Sequence, residues 1–465
     1  MRKGKKGIIV PMPSTLTLDQ LAPTFTGQLL QPGDPGYDEA RRVHNGLIDK
    51  KPAIVARCRG TADVADAVKL ARSMNLEIAV RGGGHNVGGR GTIDGGLMID
   101  LAPMRGIHVD PAKRTARAQG GVLWKEFNRE TQVHGLATTG GVVGTTGIGG
   151  LTLGGGLGWL MPKYGLALDN LRSAEMVMAD GSVVRAAAEE NPDLFWAIRG
   201  GGGNFGIAAS LEYALHPVGP MITGGLVAHP VENAREVLRF FRDTCATLPD
   251  EMMMAAGLVT APDGSGHKLA AMLAAHCGSL AQGEAAAKPI KGFGPPVMDA
   301  MGPITYCQQN GLLDPSLPKG ALNYWKSHFL SDLSDDAIDA IVDAFSKCGS
   351  PMSQIIIEHF HGAASRVPIS ETACAMRITG FNVVIVSQWM DVKENDRHIA
   401  WCRDTYKALA PYLGPTRYVN YLDVDEGGDP AAVAYGANYQ RLRELKAKYD
   451  PENVFHVNVN IKPRS

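Results

Sequence analysis

Glycine crowds three stretches of the first half of this chain, and a fold that cannot seat so much bare backbone is closed to it. The first, "RGGGHNVGGRGTIDGG" (81–96), sets eight glycines around one histidine and one asparagine. The second, "TTGGVVGTTGIGGLTLGGGLGWL" (138–160), has ten between Gly140 and Gly158, and the third is "RGGGGNFG" (199–206). Each glycine loses more backbone freedom on folding than any other residue, so the cost must be offset by something that only a missing side chain permits. Residues 138–162 carry no charge and are long enough to span a bilayer as a helix. Glycine at that density costs a helix on the order of 1 kcal/mol per residue relative to alanine, which argues against a membrane span.

The 465 residues are 45% hydrophobic, enough for a sizeable core and for roughly two to four domains. Lys and Arg total 46 against 47 Asp and Glu, so there is no basic field for nucleic acid. Seven scattered cysteines, with no CxxC pair, fit neither a disulfide framework nor a zinc site and point to thiols in a reducing, cytoplasmic setting. The opening "MRKGKKGIIVPMPSTL" is basic, but its apolar run is too short for a signal peptide and reads as a frayed tail.

The first third alternates strands and helices. "PAIVARC" (52–58) reads as a strand, "GTADVADAVKLARSM" (60–74) as a helix with Thr61 as N-cap, and "LEIAVR" (76–81) as a strand entering the first glycine stretch, whose "RGTIDGGLMID" continuation reads as hairpin material. "SAEMVMADGSVVRAA" is a hairpin turning at Asp180-Gly181. Past Pro217 amphipathic helices alternate with strands such as "MSQIIIEHFHG" and "GFNVVIVSQWM". The spacing divides the chain into 1–217, 218–411 and a C-terminal segment, 412–465, that returns to the first part; its helix is expected over "YQRLRELKAKYDPENVF".

Bare backbone N–H groups nest anionic oxygens, so three glycine loops at strand ends point to a large phosphate-bearing ligand. A Rossmann site fails on context, because neither GxGxxG-like run opens a helix that is followed by the expected acidic residue. His359 and His361 form an HxH pair, but a metal needs a third ligand, and no metal site is read here.

The motif "RGGGHN" (81–86) followed by "IDGGLMIDL" resembles the flavin-attachment loop of the berberine bridge enzyme-like family. The likeness continues through "GLTLGGGLGWLMPKYGLALDNL" (150–171), "LFWAIRGGGGNFGI" (194–207), "YVNYLD" (418–423) and "KYDPENVFHVNVNI" (448–461). It implies an α+β, two-domain FAD-binding fold of the vanillyl-alcohol oxidase/p-cresol methylhydroxylase type, with an antiparallel-sheet substrate domain. It also implies FAD bonded through a ring nitrogen of His85 to its 8α-methyl group. Many members carry a second, cysteine tether; here Val143 stands at that position, which leaves His85 as the single anchor, as in the bacterial hydroxynicotine-oxidising branch. The cofactor-binding positions carried over are Arg81, Gly82, Gly83, Gly84, Asn86, Gly88, Thr146, Gly147, Gly150, Gly155, Gly158, Tyr164, Gly165, Asn170, Gly206, Ile207, Asn458 and Asn460. Thr146 stands where the family controls dioxygen access, and its likeness in shape to valine implies an oxidase.

The activity so implied is hydride transfer from an alcohol, sugar or amine carbon of a small molecule to flavin N5, with dioxygen reduced to hydrogen peroxide. The alternatives are a dehydrogenase with another acceptor and a flavoprotein that sequesters a drug or metabolite. An alcohol must lose its O–H proton, and the resemblance assigns the base to Tyr421 of "YVNY". A free tyrosine titrates near 10, so that role calls for a lowered pKa, for which Arg417 is the nearby cation in sequence. Glu358, His359, His361, Gln388 and Trp389 are the pocket candidates, and strand alternation puts Glu358 and His359 on opposite faces, so only one set can line it.

Overall fold

The computed structural model describes residues 17–464, so the basic N-terminal tail lies outside the described residues. A four-stranded sheet comes first, in the order Gln28–Leu30, Ile54–Arg57, Leu97–Asp100, Ile78–Arg81. Leu97–Asp100 pairs in parallel with both neighbours. The expected hairpin after the first glycine stretch is therefore absent: residues 82–96 cross over and return the chain beside its own strand. The helix Thr61–Ser73 covers this sheet through Val64, Ala67, Val68 and Ala71. Thr61 is its first residue and not its cap, which is Gly60; the Thr61 hydroxyl instead donates to Glu175 at 2.6 Å.

Next comes a five-stranded antiparallel sheet, Ile107–Asp110, Thr115–Gln119, Ile207–Ala214, Leu171–Val177 and Val183–Ala187 in spatial order. Its last two strands form the expected hairpin, with Gly181 in the left-handed region at φ +78°. Past Pro217 the chain enters a second, eight-stranded sheet. Its central strands run Met221–Pro230, Lys268–His276, Met252–Thr260, Gln354–Phe360, Gly380–Trp389 and Leu322–Phe329, every pair antiparallel.

Four helices, Ala234–Cys245, Leu280–Lys291, Asp335–Ser346 and Asn395–Ala408, lie on one face of this sheet and bury Ile355, Ile357, Val383 and Ile385 against Phe241, Ile341 and Phe345. The opposite face turns toward the glycine-rich half. The final helix, Tyr439–Tyr449, packs Leu442 and Leu445 with Leu194–Ile198 of the first half. It ends earlier than periodicity suggests, because the residue before Pro451 is barred from helical geometry and the Asp450 carboxylate accepts from Val454 and Phe455 N–H. All seven cysteines are free, and all but Cys307 are buried. No helix among the described residues is long and apolar enough to cross a membrane.

Candidate active site

Arg81 closes the strand Ile78–Arg81, and all three of its guanidinium nitrogens bond within the protein. Nε and Nη2 grip the buried Asp100 at 2.9 and 2.6 Å, and Nη1 donates to the Arg42 carbonyl at 2.6 Å. Arg81 thus orders the base of the loop through these three bonds.

Most of the glycines answer to the chain itself. A Cβ on Gly83 would stand 2.3 Å from the Gly147 nitrogen, and one on Gly147 would stand 2.3 Å from the Gly83 nitrogen, so the first two glycine stretches meet backbone to backbone. Gly82 backs onto the Gly120 carbonyl, Gly88 onto Val424, Gly158 onto the Gly140 carbonyl, Gly165 onto Asp169 and Gly206 onto the Val177 carbonyl. Gly154 and Gly155 make room for Asn420 and Tyr418. Gly150 alone of the second-stretch candidates faces open space. Gly147→Ala forces the two backbones apart, and the expected loss of at least about 1–3 kcal/mol should appear as a lower midpoint in thermal unfolding.

His85 stands where these stretches meet. Its Nε2 is 2.9 Å from the Thr145 hydroxyl and its Nδ1 is 3.5 Å from that of Thr146. Desolvation, together with the neighbouring His44 ring, pushes the His85 pKa down to about 3, so the imidazole is neutral and keeps a nucleophilic lone pair at neutral pH. Neither His44 nor Thr145 stood out in the sequence.

The "YVNY" element is a short helical turn, Val419–Tyr421. Tyr418 Oη accepts from Gly156 N–H at 2.9 Å and from Asn420 Nδ2 at 2.8 Å, and Asn420 Nδ2 also reaches the Leu151 carbonyl. Those two residues fasten the turn to the second glycine stretch. Tyr421, packed edge-on against Tyr418 and Trp325, then points its hydroxyl at the second sheet, where it donates to Glu358 Oε1 at 3.0 Å. Asn382 Nδ2 holds the other oxygen of Glu358 at 2.9 Å. Burial raises the Glu358 carboxyl to about 7, while burial and the Glu358 charge push the Tyr421 phenol well above its ordinary value.

This reverses the expectation of a lowered tyrosine. Arg417 does not face the phenol; it pairs with Glu426 at 2.7 Å, which also receives Lys326 Nζ at 3.0 Å. Arg417 and Glu426 flank Tyr421 in sequence, so their ion pair closes the loop that carries it, and Lys326 fastens that loop to the edge strand Leu322–Phe329.

Strand register divides the pocket candidates. Glu358, Asn382, Asn323 and Gln388 share the face turned toward the first half. His359 and Trp389 are on the other face, and His361 stacks on His359 at 4.7 Å, while Trp389 donates to Asn395 and stacks on His398. His359 and Trp389 therefore point away from the face that carries Glu358, and His361 Nε2 lies 3.4 Å from the Pro249 carbonyl. Gln388 lies on the right face but is fully buried, donating to Asn323.

Two more cofactor candidates have structural partners. Asn170 gives its amide hydrogens to the Tyr164 and Leu166 carbonyls and accepts from His216, whose ring stacks on Tyr164 at 3.9 Å. That knot commits both amide hydrogens of Asn170 within the protein. Ile207 opens its strand, buried in the core. Asn86 Oδ1 accepts from Arg90 N–H, and Arg90 in turn reaches the carbonyls of Asn458 and Asp423, tying the first loop to the C-terminal segment.

What remains is a band of half-buried backbone: Gly82–Asn86, Thr145–Thr146, Gly202–Gly203 and the stretch around Asn458 and Asn460. Asn460 Oδ1 and Arg90 Nε lie within it, buried and without a partner. Unpaired donors and acceptors beside open glycine backbone fit a long, polar, phosphate-bearing cofactor.

A family model for the FAD binding domain matches residues 52–187, and a berberine and berberine-like model matches 417–462. The chain is 30% identical over 456 residues to (R)-6-hydroxynicotine oxidase of Paenarthrobacter nicotinovorans, covering 95% of this chain and 97% of that one. It belongs to the berberine bridge enzyme-like family. The solved 6-hydroxy-D-nicotine oxidase of Arthrobacter nicotinovorans superposes with a TM-score of 0.87 at 28% identity, over 95% of this chain and 99% of that one. Glucooligosaccharide oxidase of Sarocladium strictum is 30% identical over 472 residues, spanning 92% and 91% of the two chains. Like these members of the family, the protein is an FAD-linked oxidoreductase, and the half-buried band fits that cofactor.

Proposed function

We propose that the protein is an oxidase of small-molecule alcohols whose FAD is bonded to His85 alone. Bound FAD supplies the redox chemistry, accepting a hydride from a substrate carbon and passing its electrons to dioxygen to give hydrogen peroxide. The observation that carries the reading is the Tyr421–Glu358 pair, which faces the glycine-rich half. A substrate hydroxyl within reach of Tyr421 Oη passes its proton to the phenol as the phenol's own proton moves to Glu358. A buried carboxyl titrating near 7 is matched to that task at neutral pH, whereas the raised tyrosine could not hold a negative charge by itself. Trp325, half-buried beside Tyr421, offers a flat apolar wall for the substrate carbon skeleton.

The neutral, hydrogen-bonded His85 supports the tether, and valine at position 143 leaves no thiol for a second one. Thr146, beside His85, is the proposed control point for dioxygen. Denaturing the purified chain tests the attachment: flavin is expected to stay on the wild type and to be lost from His85→Ala, read as fluorescence of the chain in a denaturing gel. Screening alcohols, sugars and amines for peroxide tests the activity. Flavin that washes off the wild type sinks the tether, and turnover confined to amines sinks the role of Tyr421.

A further inference from the structure

His85 has a second ring packed against it that none of the chemistry above uses as an acid or base. The His44 imidazole lies with its centroid 3.9 Å from that of His85 and its plane tilted by 31°. His44 is buried, and its Nε2 is 3.0 Å from the Leu317 carbonyl. A carbonyl only accepts, so Nε2 carries a proton and the ring orientation is fixed. The backbone is held as firmly: His44 N–H donates to the Gly84 carbonyl at 3.0 Å, and the His44 carbonyl accepts from Gly320 N–H at 2.9 Å. A segment of the second half, 317–320, thereby clamps His44, and His44 covers one face of His85 while Thr145 holds the ring edge.

We infer that His44 is a positioning residue for covalent attachment at His85, fixing the plane of the acceptor imidazole before the bond forms. The inference rests on the reading of His85 as the tether. In that step one C–H bond of the flavin methyl group and one N–H bond of His85 break, one C–N bond forms, and two protons leave. The two electrons remain on the flavin until dioxygen takes them up as hydrogen peroxide. Nothing in this chemistry needs His44 as an acid or base. It needs the imidazole lone pair aimed at one carbon, and a ring free to turn about its χ2 torsion spends little time so aimed. A stacked neighbour, itself held by a carbonyl, removes that freedom.

The test uses the full chain produced with limiting flavin and then mixed with FAD. Two readouts are followed: reversible binding, by quenching of flavin fluorescence, and attachment, by flavin retained on the denatured chain over time. His44→Ala is expected to bind FAD as the wild type does but to attach it at least about tenfold more slowly, the size of effect that loss of a reacting group's alignment produces. His44→Phe keeps a stacking face and should recover most of the rate. Wild-type attachment rates in His44→Ala would overturn the inference. So would slowing in both variants accompanied by weakened reversible binding, because His44 would then be holding the loop and not the ring. A wild-type chain that never attaches flavin overturns the tether reading and this inference with it, a result distinct from a failure of His44 alone.

Discussion

Tyr421→Phe is expected to lower kcat/KM for an alcohol substrate by about 10²- to 10⁴-fold, the span that a positioned acid–base group supplies. The phenyl ring can keep its contacts with Tyr418 and Trp325, so reversible FAD binding and the visible spectrum should not change. Glu358→Gln should cost a similar factor and, unlike Tyr421→Phe, should remove a limb from the pH profile. On that proposal, wild-type activity should rise as Glu358 loses its proton, with a midpoint near 7. Stability moves the opposite way. The folded carboxyl is raised above its unfolded value, so its stabilising share is complete below pH 4.5 and is lost as pH rises through about 7. Glu358→Gln should therefore be more stable than the wild type at pH 8, by about 3 kcal/mol, and no more stable at pH 4. A pH profile unchanged by Glu358→Gln would remove the carboxylate from the proton path.

Lys446→Met should be the most destabilising single change proposed here, by about 3–5 kcal/mol, as expected when one partner of a buried ion pair is removed. Lys446 and Asp450 are both fully buried, and Nζ donates to Asp450 Oδ2 at 2.6 Å, to the Asn204 carbonyl at 2.6 Å and to the Phe455 carbonyl at 2.9 Å. Methionine fills the same space but leaves a buried carboxylate without its counter-cation and two carbonyls without their donor. Asn204 belongs to the third glycine stretch, so reversible FAD affinity should weaken together with the unfolding midpoint. Urea unfolding of the flavin-free and FAD-bound chains separates the two effects. A variant that loses FAD affinity with no change in the flavin-free midpoint would contradict the structural role.

Local patterning carried much of this architecture. The helix at 61–73, the hairpin at Asp180-Gly181 and the two strands that bring Glu358 and Asn382 together are all legible from periodicity and turn chemistry. The alternation that set Glu358 against His359 is a property of any strand, and it was enough to show that only one of them could face the site. What periodicity could not reach is long-range. The parallel return of Leu97–Asp100 depends on a crossover whose path lies in loop geometry. The partners of Arg81, Asn170 and Arg417 come from residues distant in the chain or on the far side of a turn, so residue type suggested a ligand where the protein supplies its own. The glycines misled in the same way: a missing side chain marks a close approach but does not say to what. His44 was silent because a ring stack with His85 leaves no spacing signature.

The clasp formed by Arg417, Glu426 and Lys326 bears on when, in the life of the molecule, the site comes into being. His85 is made early, yet Tyr421, the ion pair that steadies its loop and the Lys446 anchor of the third glycine stretch emerge from the ribosome hundreds of residues later. The nascent chain can thus hold all three glycine stretches for much of its synthesis without the parts that lock them together. The cradle is therefore incomplete in any chain that lacks residues 417–450, whatever becomes of its glycine stretches.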